Sequence, residues 1–178
     1  MDKQYPSCGD HGTSKLVTGA EVGKNHPNFE AVGSIDELNC VLGWVKCVCD
    51  DPETYRRIEW LQNRLLDLGG HVTGWSVAEF GPDYVACLEQ QIRQWHEAVP
   101  DIQSFILPDG TELAARFHIA RAVCRRAERE IARWKATGLV PISDHAMQFI
   151  NRLSDWLYMA ARWTNVRTGT PETLWKKD

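Results

Sequence analysis

Apolar residues recur at steps of three and four through five long stretches of this sequence, bounded by proline, glycine and acidic residues, a pattern that specifies packed amphipathic helices. The first stretch, about Phe29 to Cys49, repeats Val32, Ile35, Leu38, Leu42 and Val45 and stops before Asp50-Asp51-Pro52. The second, from about Pro52 to Val72, carries Tyr55, Ile58, Leu61, Leu65 and Leu68, with Pro52 suited to a first helical turn and Gly69-Gly70 weakening its end. The third runs from Pro82 to Val99 through Val85, Leu88, Ile92 and Trp95. A fourth is expected from about Thr111 to Lys135. The fifth spans Ser143 to about Arg167, with Ser143-Asp144 as its cap and Met147, Ile150, Leu153 and Leu157 as its stripe. Between Pro100 and Gly110, the apolar triplet Phe105-Ile106-Leu107 is too short for a helix and reads as a hydrophobic loop. No alternating pattern competes, so the expected fold class is all-α: an antiparallel five-helix bundle.

The first 27 residues have no helical period and are rich in Gly, Ser, Thr and Lys, which reads as a flexible head. The expected organisation is one domain over residues 1–178, with the bundle at 28–168 and a tail at 169–178. The start, Met1-Asp2-Lys3-Gln4-Tyr5-Pro6, has no apolar core of signal-peptide length, and no stretch approaches the roughly 18 apolar residues of a membrane span. A cytoplasmic location without membrane contact is the expectation. The formal net charge of -4 argues against a general nucleic-acid binder. No cysteine pair has C-x-x-C spacing, so a zinc knuckle or disulfide framework is not expected. Cys40, Cys47, Cys87 and Cys124 fall in helical patterns and read as small buried thiols. Core packing is the expected role of each tryptophan, and surface or packing roles that of His96, His118 and His145. Without a Glu-x-x-His pair, a ferritin-like metal bundle is disfavoured.

The fourth stretch holds the unusual chemistry. Arg121, Arg125, Glu128 and Arg129 stand at i, i+4, i+7 and i+8, which places three guanidiniums and a carboxylate along one helix face. Such charges repel unless an anion or partner carboxylates lie against them, and guanidinium forks suit phosphate oxygens. Alone, this pattern reads first as a solvated basic face balanced by Glu128 and Glu130. The head adds Cys8-Gly9-Asp10-His11-Gly12-Thr13-Ser14-Lys15 and Lys24, where glycines, hydroxyls and lysines can wrap a polyphosphate, although this is no Walker sequence. Asn151, Ser154 and Asp155 share a polar side of the fifth stretch, a wet surface by default. Asp36 and Glu37 lie early in the first helix, where the helix dipole favours acids, and Asp36 is a candidate arginine partner.

Read in order, Gly9-Asp10-x-Gly12-Thr13, Lys24 before Pro27, Glu30-Ala31-x-Gly33-x-x-Asp36-Glu37-Leu38-Asn39, Phe105-Ile106-Leu107-Pro108, Ala120-Arg121-x-x-Cys124-Arg125-Arg126-Ala127-Glu128-Arg129 and Asn151-Arg152-Leu153-Ser154-Asp155 resemble PduO-type ATP:corrinoid adenosyltransferases. The resemblance spans about Gly9 to Asn165, and its arginine and Asn-Arg-Leu-Ser-Asp blocks are specific. It implies a homotrimer with ATP in clefts between neighbouring subunits, the head of one closing over the helices of the next. Ser7, Cys8, Gly9, Ser14, Lys15 and Lys24 would contact the nucleotide from the head. Arg125, Arg126, Glu128, Arg129 and Asn151 would do so from the bundle, and Arg121 would pair with Asp36 near the interface. Magnesium would accompany the triphosphate, held mainly by phosphate oxygens. The implied chemistry moves the 5′-deoxyadenosyl group of ATP to Co(I) of a reduced corrinoid, with Phe105 excluding the lower ligand of cobalamin. A flavin-type reductase and an adenosylcobalamin-dependent acceptor enzyme are the partners such chemistry implies.

The head departs from the family pattern. Pro6-Ser7-Cys8 replaces a start richer in hydroxyls, Lys15 stands where the family is polar and uncharged, and Glu21 where it often carries arginine. These departures are what would favour a non-catalytic protein that binds or delivers adenosylcobalamin.

Overall fold

A computed structural model describes residues 9–75 and 80–177. Five helices account for most of them: α1 (Pro27–Lys46), α2 (Pro52–Thr73), α3 (Pro82–Ala98), α4 (Glu112–Lys135) and α5 (Asp144–Thr168). Side chains cap the starts. His26 Nδ1 accepts from the Asn28 amide, Asp51 from Thr54, Thr111 from Ala114 and Ser143 from Ala146, each satisfying an amide that the helix leaves unpaired. As expected, α2 runs through Gly69-Gly70. The helix continues to Thr73 and closes on Gly74, whose φ of 78° gives the left-handed turn a glycine accepts without strain.

The packed pairs are α1 with α2, α1 with α4, α4 with α5, and α5 with α3, so α4 stands in the middle of the order α2-α1-α4-α5-α3. Leu38, Leu65, Phe117, Phe149, Leu153 and Trp156 are buried in the common core. Among the described residues, no helix is long and apolar enough to cross a membrane.

Several expected core positions lie elsewhere. Tyr55 is exposed, its ring under the Lys46 ammonium, while Thr54 takes the buried place one residue earlier. Cys40 and Cys47 are exposed because each sits two residues, about 200° of helix rotation, beyond the buried Leu38 and Val45. Cys87 is half-buried and only Cys124 is fully buried. Trp44, Trp75 and Trp175 are exposed, whereas Trp95, Trp134 and Trp156 are core residues. Ser154, read as part of a wet polar side, is buried with its hydroxyl donated to the Asn151 carbonyl at 2.9 Å.

The head contains structure the periodicity did not announce. β1 (Thr13–Lys15) and β2 (Glu21–Gly23) pair antiparallel, Ser14 opposite Val22 and Lys15 opposite Glu21. Gly19, at φ 85°, closes the turn by donating to Leu16 O, and the Thr13 hydroxyl donates to the Glu21 carboxylate at 2.7 Å. The tail is also ordered by pairing: Leu174 forms a β-bridge with Ile106 of the hydrophobic loop.

Candidate active site

The α4 face rests on a buried thiol. Cys124 donates to the Ile150 carbonyl across the α4–α5 contact, and burial pushes its thiol far above the usual range, so it is an inert spacer. On either side of it, Arg125 is exposed and Arg121 half-buried. Arg129 donates to the Arg125 carbonyl at 2.9 Å, and Asn151 on α5 donates to Glu128 at 2.8 Å, which fixes that carboxylate beside the arginines. Among the described residues, Arg121, Arg125 and Arg129 have no carboxylate within ion-pair distance, while most other arginines of the chain do. Three guanidiniums along one helix face without an ion-pair partner are chemically suited to receive an anion. Glu130, one of the two acids that could have balanced them, is taken by Arg133.

Arg126 differs from its neighbours. It is ion-paired with Glu37 of α1 and so ties the two helices together. Arg121 and Asp36 do not meet within one chain: Asp36 lines a groove between α1 and α2, whereas Arg121 stands on α4 close to His118 and Tyr158. The groove, of about 620 Å³, is largely apolar, with Val32, Ile35, Leu65, Leu66 and Trp75 in its walls.

Within the head, Gly9 has φ 105° and lies so close to Lys24 that a Cβ there would stand 3.1 Å from the lysine ammonium. Ser14 is half-buried in β1, and Lys15 and Lys24 are exposed. Ser7 and Cys8 lie outside the described residues. Among the described residues, no side-chain hydrogen bond or ion pair joins this head to the arginine face. The hairpin instead covers a cavity of about 310 Å³ walled by Leu16, Val22, His26, Trp134 and Val140 at the C-terminal end of α4. Within one chain the head and the arginine face are therefore not joined by side-chain bonds among the described residues.

Phe105 projects from the hydrophobic loop and is 78% exposed, its ring edge against Trp175 at a centroid distance of 6.3 Å. Three features here escaped the sequence reading. His118 is buried with neither ring nitrogen hydrogen-bonded, and burial followed by the Arg121 charge pulls it below the usual imidazole range. Trp175 belongs to the tail yet packs on Phe105. Arg162 is a buried cation in α5 that binds Glu172 of the tail. The available signal was an arginine inside the otherwise apolar face of the fifth stretch, and such a charge requires a partner.

Known proteins share the sequence pattern and the fold. The sequence model of the cobalamin adenosyltransferase family matches residues 4–164. A cobalamin adenosyltransferase of Cupriavidus metallidurans is 37% identical, over all of this chain and 96% of its own. A corrinoid adenosyltransferase of Bos taurus is 34% identical, over all of this chain and 78% of its own. Among solved structures, a variant PduO-type ATP:corrinoid adenosyltransferase from Lactobacillus reuteri complexed with cobalamin and ATP superposes with a TM-score of 0.90. It is 31% identical, with 98% of this chain and 97% of that one covered. A further variant of the enzyme, complexed with ATP, gives 0.89 at 32% identity, over 97% of this chain and all of that one. With most of its length matched by the family model and its helices superposing on those structures, the chain belongs to the cobalamin adenosyltransferase family.

Proposed function

We propose that this protein transfers the 5′-deoxyadenosyl group of ATP to the cobalt of a reduced corrinoid, giving an adenosylcorrinoid and triphosphate. The observation that carries the reading is the anion site on α4, where Arg121, Arg125 and Arg129 lack carboxylate partners among the described residues. The ATP and cobalamin held by the Lactobacillus reuteri enzyme supply the ligand chemistry. Co(I) attacks C5′ with its own electron pair, the C5′–O bond breaks, and the triphosphate leaves with that bond's electrons, so cobalt ends as Co(III) bonded to carbon. The nucleophile needs no general base. The protein's work is to aim C5′ and to stabilise charge on the leaving group. Arg125 and Arg129 serve the leaving triphosphate, Glu128 and Asn151 hold the nucleoside end, and Arg126 adds charge from its pair with Glu37.

Two assignments follow from the separation of the halves. The second half of each site comes from a neighbouring copy in a homotrimer: its head, with Ser7, Cys8, Gly9, Ser14, Lys15 and Lys24, covers the arginine face. Asp36 on the apolar α1–α2 groove meets Arg121 of the next subunit, which supports the groove as the interface because an unpaired acid and an unpaired guanidinium then match. Magnesium travels with the triphosphate. Phosphate oxygens would be its main ligands. Phe105, an exposed apolar wedge, takes the lower face of the corrinoid and displaces the nucleotide ligand that makes Co(II) hard to reduce. A flavin-type reductase supplies the electron, an adenosylcobalamin-dependent enzyme accepts the product, and the proposed setting is the cytoplasm.

The test is anaerobic. Chemically reduced cob(I)alamin and MgATP are mixed with the protein, and a light-sensitive adenosylcobalamin product is followed by absorbance. Arg125→Ala lowers kcat about 100- to 1000-fold, the usual cost of losing one preorganised donor to developing negative charge. Corrinoid binding without product from the wild type would instead identify a carrier.

A further inference from the structure

We infer that Arg162 and Glu172 are positioning residues that hold Phe105 in place, so that the C-terminal tail is a working part of the site. The inference rests on the reading of Phe105 as the wedge that removes the lower ligand. A side chain 78% exposed is not located by core packing, so its backbone must be fixed from elsewhere. After α5 ends at Thr168, Gly169 turns the chain back at φ 66°, and residues 173–175 run alongside the loop. Leu107 donates to the Thr173 carbonyl at 2.8 Å, Trp175 to the Phe105 carbonyl at 2.7 Å, and the Ser104 hydroxyl to the Trp175 carbonyl at 3.1 Å. Those bonds flank the Ile106–Leu174 bridge. A two-stranded pair this short and this exposed does not hold itself together in water.

What holds it is buried. The Glu172 carboxylate accepts from Arg162 Nε at 2.9 Å and from Nη2 at 3.0 Å, a two-pronged pair whose side chains are 5% and 13% exposed. The same Nη2 donates to the Pro100 carbonyl at 2.7 Å. One guanidinium on α5 therefore ties down both the tail and the start of the loop. One helical turn on, Asn165 fixes the other end, accepting from the Thr111 amide at 3.0 Å and donating to the Asp109 carbonyl at 3.4 Å. Both loop ends hang from α5, and the middle, with Phe105, hangs from the tail. Because removing one member of a buried pair strands the other charge, Glu172 governs whether the tail stays under the loop.

The experiment uses the full chain with cob(II)alamin and MgATP, reading electron paramagnetic resonance for the fraction of bound Co(II) that has lost splitting from its lower nitrogen ligand. Glu172→Gln keeps shape but removes charge, and Phe105→Ala is the reference. Phe105→Ala is expected to abolish the ligand-free fraction, and Glu172→Gln to lower it about tenfold, as a displaced wedge does, with ATP affinity unchanged. A wild-type fraction in Glu172→Gln, alongside its loss in Phe105→Ala, would overturn the positioning role and leave the Phe105 reading standing. Equal fractions in wild type and Phe105→Ala would overturn that reading and the inference with it. Weakened ATP binding in Glu172→Gln together with a lowered unfolding midpoint would reduce the pair to general structure and also overturn the inference.

Discussion

His118 and His71 carry the clearest pH dependence at the scale of single residues. Burial lowers both below the usual imidazole range, and Arg121 adds to the effect at His118. His71 Nε2 accepts from the Ser143 amide at 3.0 Å, a bond the protonated ring cannot keep. A group whose folded pKa is depressed leaves the unfolded chain binding the extra proton first, so stability falls as pH drops below about 6.5. Urea unfolding between about pH 7.5 and 5.5 should show that slope, and His118→Leu should flatten part of it because neither nitrogen has a bond to lose. An unchanged slope in the variant would assign the dependence elsewhere. Sequence reading placed His118 as surface or packing without its charge state, since the neighbours that set it come from α4, α5, the loop and the tail. The arginine face was legible because helical spacing alone aligns Arg121, Arg125 and Arg129. The Arg126–Glu37 pair was not, because it joins residues 89 apart.

At the scale of elements, the helices follow from period and caps, and their observed bounds fall within two or three residues of those expected. The hairpin was missed because β1 and β2 are three residues each, too short to show alternation, although Gly19 between them was a turn signal. Its geometry makes Gly9 a sensitive point. Alanine there adopts φ 105° under strain and presses on Lys24. Gly9→Ala should therefore weaken ATP binding about tenfold, equivalent to about 1.4 kcal/mol, without shifting the unfolding midpoint of the bundle. Titration calorimetry and a thermal melt separate the two effects, and a lowered midpoint with unaltered ATP binding would contradict the role given to the head. The Thr13–Glu21 bond gives Glu21 a place in this hairpin that its negative charge alone did not suggest.

For the whole molecule, a single chain carries an arginine face on α4 and, packed beside the C-terminal end of that helix, a glycine-lysine head that it does not bond to that face. In the proposed trimer a neighbouring copy would close them. Sedimentation velocity should give one species of three copies, and Asp36→Ala should shift it toward monomer, with activity falling in parallel. A fully active monomer would contradict the shared site. The central claim is adenosyl transfer itself, and its most direct test is the stoichiometry of one anaerobic turnover. Wild-type protein with cob(I)alamin and MgATP should release intact triphosphate mole for mole with light-sensitive adenosylcobalamin. Bound corrinoid with neither product, or ATP cleaved to diphosphate and phosphate without a cobalt–carbon bond, would contradict the account.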